Sequence, residues 1–234
     1  MKTNLQLKSR TRAFTRVEAL ACLGAVTILA AVAWPTVAGT RGRSDRVACV
    51  NNLRLIGRAI QTYSGDHGGM NHWGVNAPQG TRYSPYAGNV SFQFGFLSNE
   101  LATPNILACP SDTQRRAAHT WGTGPRGFLN PAYRYNAVSY FLGLDVTQNA
   151  PNSVLAGDRD IPLAGYGSCS LPLANIGYVK PGQSNLAWTN GVHVFAGNLL
   201  LSDGRVRQTS SEGLRQSFSS PLYSDNGLLH LLGW

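Results

Sequence analysis

Four side chains in the C-terminal half could do chemistry if the fold gathers them: His193, Asp158, Asp160 and Asp203. Calcium takes six to eight oxygens from carboxylates and backbone carbonyls. Asp158, Asp160 and Asp203 are therefore a candidate calcium set, with Gly165 to Ser170 able to donate carbonyls, and His193 could complete a ligand site instead. The competing reading is structural: Asp203-Gly204 is the pair that a two-residue hairpin turn selects, and the histidine beside it is packed and hydrogen-bonded. That reading is favoured, because the turn needs no ligand to explain it. The four cysteines are Cys22, Cys49, Cys109 and Cys169. Cys22 lies in an apolar run, so at most one bridge joins two of the other three, and three pairings are open. No CxxC or His-Cys spacing indicates zinc. GxSxG, HExxH, P-loop and dinucleotide patterns are all absent, which argues against an enzyme, and a Ser-His-Asp trio without geometry carries no weight.

The remaining unusual residue is Glu18, at the head of the apolar stretch Ala13 to Ala38. About twenty uncharged residues follow it, the length of a membrane-crossing helix. A carboxylate carried into such a helix costs roughly 2.5 to 3.5 kcal/mol and calls for a partner. The elements that would position it are a basic leader at 1–13 (Lys2, Lys8, Arg10, Arg12), a transmembrane helix half at 14–38 and an amphipathic half at 39–65. Pro35 should kink the helix, and Gly39 and Gly42 weaken it. Beyond them Val47, Val50, Leu53, Ile56, Ile60 and Tyr63 form one apolar face suited to packing on a sheet, and Gly65, Gly68 and Gly69 end it. An ordinary signal peptide cut after Ala31-Val32-Ala33 is the first alternative, and a plain anchor with no assembly role the second.

Phe14, Thr15 and Glu18 resemble the Phe-Thr-x-x-Glu core of the class III signal of type IV pilins and type II secretion pseudopilins. That resemblance implies cleavage between Ala13 and Phe14 by prepilin peptidase, methylation of the Phe14 amine, and pairing of Glu18 with the neighbouring subunit's terminal amine during assembly. Cys49-Val50-Asn51-Asn52-Leu53-Arg54, with Tyr63, Asp66 and Gly68 after it, then Cys109-Pro110-Ser111-Asp112, then His193 nine residues ahead of Asp203-Gly204, resemble in that order a group of pseudopilin-like proteins abundant in planctomycetes. This second resemblance implies a Cys49–Cys109 disulfide and marks His193, Asp203 and Gly204 as family motif residues.

The rest of the chain, 66–234, reads as one loop-rich β domain, a length that buries its own core. Candidate strands are Val90 to Phe94, Arg134 to Leu142, Ser153 to Gly157 and Asn185 to Thr189, with a short helix over Gly95 to Ala102. His193 to Phe195 should pair with Leu199 to Ser202 across a turn at Ala196 to Asn198, and Leu201 should lie opposite Val206. Tyr83, Tyr86, Trp73 and Trp121 are candidates for a glycan-stacking surface, or anchor loops on the core, while His72 and His119 should be exposed. The formal charge of +9 is spread along the chain, and the leader's four positives account for all but +5 of it. With no RNP pattern, zinc finger or base-reading basic helix, nucleic acid is not an expected partner.

The resulting expectation is an α+β, pilin-like fold: a long N-terminal transmembrane and amphipathic helix packed on an antiparallel β domain. The expected function is a pilus or pseudopilus subunit at the inner membrane, single-pass, with its N-terminus cytoplasmic and its globular domain periplasmic. Its partners would be prepilin peptidase, other pilin or pseudopilin subunits and inner-membrane lipid, with no cofactor unless calcium binds. The alternative is a membrane-tethered module that binds a glycan or surface ligand and does not polymerise.

Overall fold

A computed structural model describes residues 15–146, 150, 152–167, 176–219 and 227–233, with the side chains of 32–41 outside that description. The leader, the processing pair Ala13 and Phe14, and Cys169 lie outside the described residues. The chain divides into two compact units, Met1–Arg43 and Ser44–Trp234.

Helix α1 (Arg16–Asp66) opens on a capping box. The Glu18 N–H donates to Thr15 Oγ1 at 3.3 Å, and Glu18 Oε2 accepts from the Thr15 N–H and hydroxyl at 2.9 Å each. Thr15 and Glu18 thus satisfy each other's orphan groups at the helix start. In the first unit the large apolar side chains Val17, Leu20, Leu23, Val26, Ile28 and Leu29 are 61 to 75 % exposed. In the second unit Cys49, Leu53, Ile56, Ile60 and Tyr63 form a buried stripe, while Val47 falls outside it. Burying each of the large aliphatic members contributes about 1.5 to 3 kcal/mol. The helix closes where Gly68 and Gly69 take positive φ and the Gly69 N–H reaches back to the Ser64 carbonyl at 2.8 Å, the backbone closure that glycine permits.

That stripe packs on a seven-stranded sheet of order β3-β4-β7-β1-β2-β5-β6. Its strands are β1 (Tyr140–Gly143), β2 (Val154–Asp158), β3 (Gly165–Gly167), β4 (Ile176–Val179), β5 (Ala196–Leu201), β6 (Val206–Ser210) and β7 (Leu229–Leu232), and every pairing is antiparallel. Tyr140, Leu142, Ala156 and Leu200 join the α1 side of the core. Phe141, Val154, Leu199 and Leu201 join the other side, against Trp188 and against Leu214 of helix α4 (Ser211–Ser217). A Cβ on Gly57 of α1 would lie 3.0 Å from the Leu200 side chain, so glycine there lets helix and sheet approach closely.

The expected architecture is corrected on two counts. Among the described residues no helix is long and apolar enough to cross a membrane. Arg16 and Glu18 occupy the first turn of α1, so the described part of the apolar run opens on two charged side chains. The β domain, expected to be an open assembly of loops and short strands, is one continuous sheet accompanied by helices. Val90 to Phe94, expected as a strand, is helix α2 (Val90–Phe96), because Asn89 caps it by accepting from the Ser91 and Phe92 N–H groups. The expected helix over Gly95 to Ala102 is split between the end of α2 and α3 (Ser98–Leu101). Arg134 to Ala137 is a 3-10 turn ahead of β1, Asn185 to Thr189 is not a strand, and the C-terminal segment supplies β7, between β4 and β1.

Candidate functional site

The structure joins Cys49 of α1 to Cys109, with their Cα atoms 5.1 Å apart. Asn52, one turn further along α1, donates to the Ala108 carbonyl and the Tyr140 hydroxyl at 3.3 Å each, so the helix is clamped to the residue before Cys109. Three residues beyond Cys109, Asp112 accepts both ends of the Arg159 guanidinium, at 2.8 Å from Nε and 2.9 Å from a terminal nitrogen. Burial works against the Asp112 carboxylate, yet Arg159 outweighs it and holds its pKa below the usual range. The Cys-Pro-Ser-Asp element thus ties α1 at one end and the segment just after β2 at the other.

His193 sits against that disulfide. Its Nε2 is 3.5 Å from Cys109 Sγ and 3.5 Å from Asp158 Oδ2, and all of these residues are buried. Burial, reinforced by the nearby Arg46 cation, pulls the imidazole pKa down to about 4, so the ring is neutral near pH 7. Asp158 closes β2; its Oδ2 accepts from the backbone and side-chain N–H groups of Asn198 on β5 at 2.7 and 2.9 Å. Burial outweighs those donors and raises the carboxyl to about 7, and Oδ1 has no hydrogen-bond partner. The two groups oppose each other in acid. The unfolded histidine takes up a proton below about 6.5 that the folded one refuses until about 4, so its contribution is lost as pH falls. Asp158 contributes most below its unfolded value of 3.8, and that is lost as pH rises towards 7.

The loop that carries His193 is built by Asp160. Its carboxylate accepts from the Gly191 and Val192 N–H groups at 2.6 and 3.2 Å and from the Thr189 hydroxyl. A side chain on Gly191 would run into that carboxylate at 2.7 Å. Arg46 donates to the His193 carbonyl at 2.8 Å. Val194 and Phe195 follow with φ of 50° and 58° and stand 61 and 65 % exposed. Consecutive β-branched and aromatic residues in the left-handed region are strained conformations that the surrounding bonds must hold. The expected hairpin at His193 is accordingly displaced: Ala196, Gly197 and Asn198, expected as its turn, begin β5, and Leu200, not Leu201, faces Val206.

Asp203 and Gly204 form the β5–β6 turn expected of them, with Gly204 at φ 83°. Asp203 accepts from the Arg205 N–H at 3.0 Å and from its guanidinium at 2.5 Å. Asp160 holds a loop, Asp203 a turn and Asp158 the Asn198 amides, so the expected calcium set is dispersed over three separate jobs. Among the described residues, the group of His, Cys and acidic side chains close enough to share one ion is Cys49, Cys109 and His193. Of Gly165 to Ser170, the first three residues are strand β3, and the rest lie outside the described residues. The aromatic surface is corrected too: Tyr83 and Tyr86 are exposed, but Trp73 is buried with its indole N–H on the Leu144 carbonyl at 3.0 Å. His119 is exposed as expected, whereas His72 is fully buried.

A cavity of about 420 Å³ opens against this cluster, lined by Asn52, Cys109, Asp112, Arg115 and His119 among others. Sequence reasoning missed Asn198, Arg159 and Arg46, none of which belongs to a quoted motif position; only the fold brings them to His193, Asp112 and the disulfide. The Thr15-to-Glu18 cap was readable, since Thr-x-x-Glu before an apolar run is a helix-start signature. Compared with protein-family models, with curated proteins and with solved structures, the chain shows no match.

Proposed function

We propose that the chain is a pilin-like subunit, processed by prepilin peptidase at Ala13 and Phe14 and assembled through the N-terminal half of α1 into a pilus or a secretion pseudopilus. The observation that carries this reading is the exposed apolar surface of α1 from Val17 to Leu29, following directly on the Thr15–Glu18 cap. Helices of neighbouring subunits would cover that surface, and Glu18, held in place by Thr15, would meet the freed amine of the next subunit's Phe14. The Cys49–Cys109 disulfide supports a globular unit that folds outside the cytoplasm, where such bonds persist. The proposed place of assembly is the inner membrane.

The test separates the charge of Glu18 from its capping role. Glu18→Gln keeps a capping-box side chain at that position and removes the charge. Co-expressed with prepilin peptidase, E18Q should keep wild-type levels and processing yet drop out of the sheared filament fraction by about tenfold or more, the loss that roughly 1.4 kcal/mol per assembly contact produces. Wild-type incorporation of E18Q removes the assembly role. The cavity beside Cys109 favours a second reading, a ligand-binding module that never polymerises; that activity would be untouched by E18Q and reduced by filling the cavity at Ala48.

A further inference from the structure

One contact of the His193 ring is a poor hydrogen bond. At 3.5 Å, Asp158 Oδ2 lies beyond the separation an imidazole N–H chooses for a carboxylate, while Cys109 Sγ, also at 3.5 Å, is at an ordinary distance for a contact to sulfur. Asp158 Oδ1 is fully buried with no hydrogen-bond partner at all. The two 3.5 Å spacings at His193 Nε2 fit another arrangement, one that the sulfurs, now bonded to each other, could join once the disulfide opens. Ligand atoms about 2.0 to 2.3 Å from one tetrahedral zinc stand roughly 3.3 to 3.8 Å from each other. Cys49 Sγ, Cys109 Sγ and His193 Nε2 all lie within 4.8 Å of one another; Asp158 Oδ2, 3.5 Å from the same imidazole nitrogen, stands outside that mutual group and has to shift toward the sulfurs to become a further ligand.

We propose that the reduced form of this protein binds one zinc-class cation through Cys49, Cys109 and His193, with the Asp158 carboxylate in the fourth position, so that the disulfide and the metal are alternative occupants of one site. The exchange needs a dithiol reductant. A thiolate of the reductant attacks the Cys109 sulfur, breaking the Cys49–Cys109 bond and forming a mixed disulfide; its second thiol then displaces Cys109. The reductant leaves as a disulfide, two electrons pass to the protein, and both cysteines become thiols. Zinc then displaces the two thiol protons as the sulfurs move from bonding distance to roughly 3.8 Å. The cavity on the Cys109 side is the approach for reductant and cation, and Asn198 donates at 2.7 and 2.9 Å to Asp158 Oδ2, the oxygen that faces His193, which leaves Oδ1 without a hydrogen bond and open to a cation.

The experiment titrates Co²⁺, then Zn²⁺, into the full-length chain after reduction with a dithiol and removal of the reductant without air, with far-ultraviolet circular dichroism recorded alongside. The expected result is one equivalent of Co²⁺ with tetrahedral visible bands and a thiolate-to-cobalt charge-transfer band, displaced by Zn²⁺, and a Zn²⁺-dependent rise in Tm. The oxidised chain should show none of these. H193Q should weaken affinity by about a hundredfold and D158N by about tenfold, with the thiolate band retained in D158N. Absence of a one-to-one complex in the reduced chain overturns the proposal, as does a complex whose affinity is unchanged in H193Q. A reduced chain that loses its fold and is not restored by Zn²⁺ overturns it as well.

Discussion

His72 shows how far a residue's surroundings can move it from its sequence appearance. Placed among Gly69, Met70 and Asn71 it reads as a loop histidine in water, yet it is fully buried, stacked on Phe96 at 5.9 Å and edge-on to Tyr63 and Trp73 at 5.8 and 4.8 Å. Burial pulls its pKa down to about 3, with Gln93 a weaker opposing influence. The unfolded imidazole charges below about 6.5 and the folded one only near 3, so its contribution is fully present above 6.5 and lost as pH falls through that window, at up to about 1.4 kcal/mol per pH unit. H72F, which preserves the stack, should flatten this part of the acid dependence; urea midpoints at pH 6.5 and 4 check it, and equal pH dependence in both proteins refutes it. Asp112 makes a second test. Its side chain is fully buried and that of Arg159 only 12 % exposed, so D112N leaves a nearly buried guanidinium without its counter-charge. A loss of about 3 kcal/mol in denaturant unfolding is expected, and a change within 0.5 kcal/mol of zero, the size of an ordinary surface substitution, would contradict the clamp. At this scale the family resemblance foretold the Cys49–Cys109 bond, and Asp-Gly foretold its own turn. His193's company was hidden, because Asp158 and Asn198 are brought together by the β2–β5 pairing and Cys109 is held there by its bond to α1.

Among the elements, the second half of α1 was legible because a helix packed on one side keeps an apolar stripe; only Val47 was assigned to the wrong face. The strands were harder. β1, β2, β5 and β7 are buried on both faces, so Tyr140-Phe141-Leu142 and Leu199-Leu200-Leu201 lack the alternation that marks a half-exposed strand. The alternation in Val90 to Phe94 pointed the wrong way, since the Asn89 cap started a helix there. β7 is the most consequential miss: a short apolar tail that pairs with β4 on one side and β1 on the other. Asp145 fixes it further, accepting from the His230 N–H at 2.6 Å and lying 2.9 Å from its ring nitrogen. Deleting residues 228–234 should therefore open the middle of the sheet and abolish cooperative unfolding by circular dichroism. A truncated chain with a wild-type midpoint would show that the sheet does not need this strand.

For the whole molecule, two surfaces of different character remain. The first unit offers an apolar helix whose described side chains are exposed, and the second a closed core in which Cys49, Cys109 and His193, one residue from each motif segment, meet at one buried cluster while Asp203-Gly204 forms a separate turn. The motifs therefore describe how the second unit is held together, while the proposed filament role rests on the first. The most direct test of that role is the intact mass of the chain purified from cells that contain prepilin peptidase. The subunit reading predicts a chain beginning at methylated Phe14, two hydrogens lighter than its fully reduced form because of the Cys49–Cys109 bond. A chain retaining Met1 and its basic leader, or one beginning at Trp34, contradicts it.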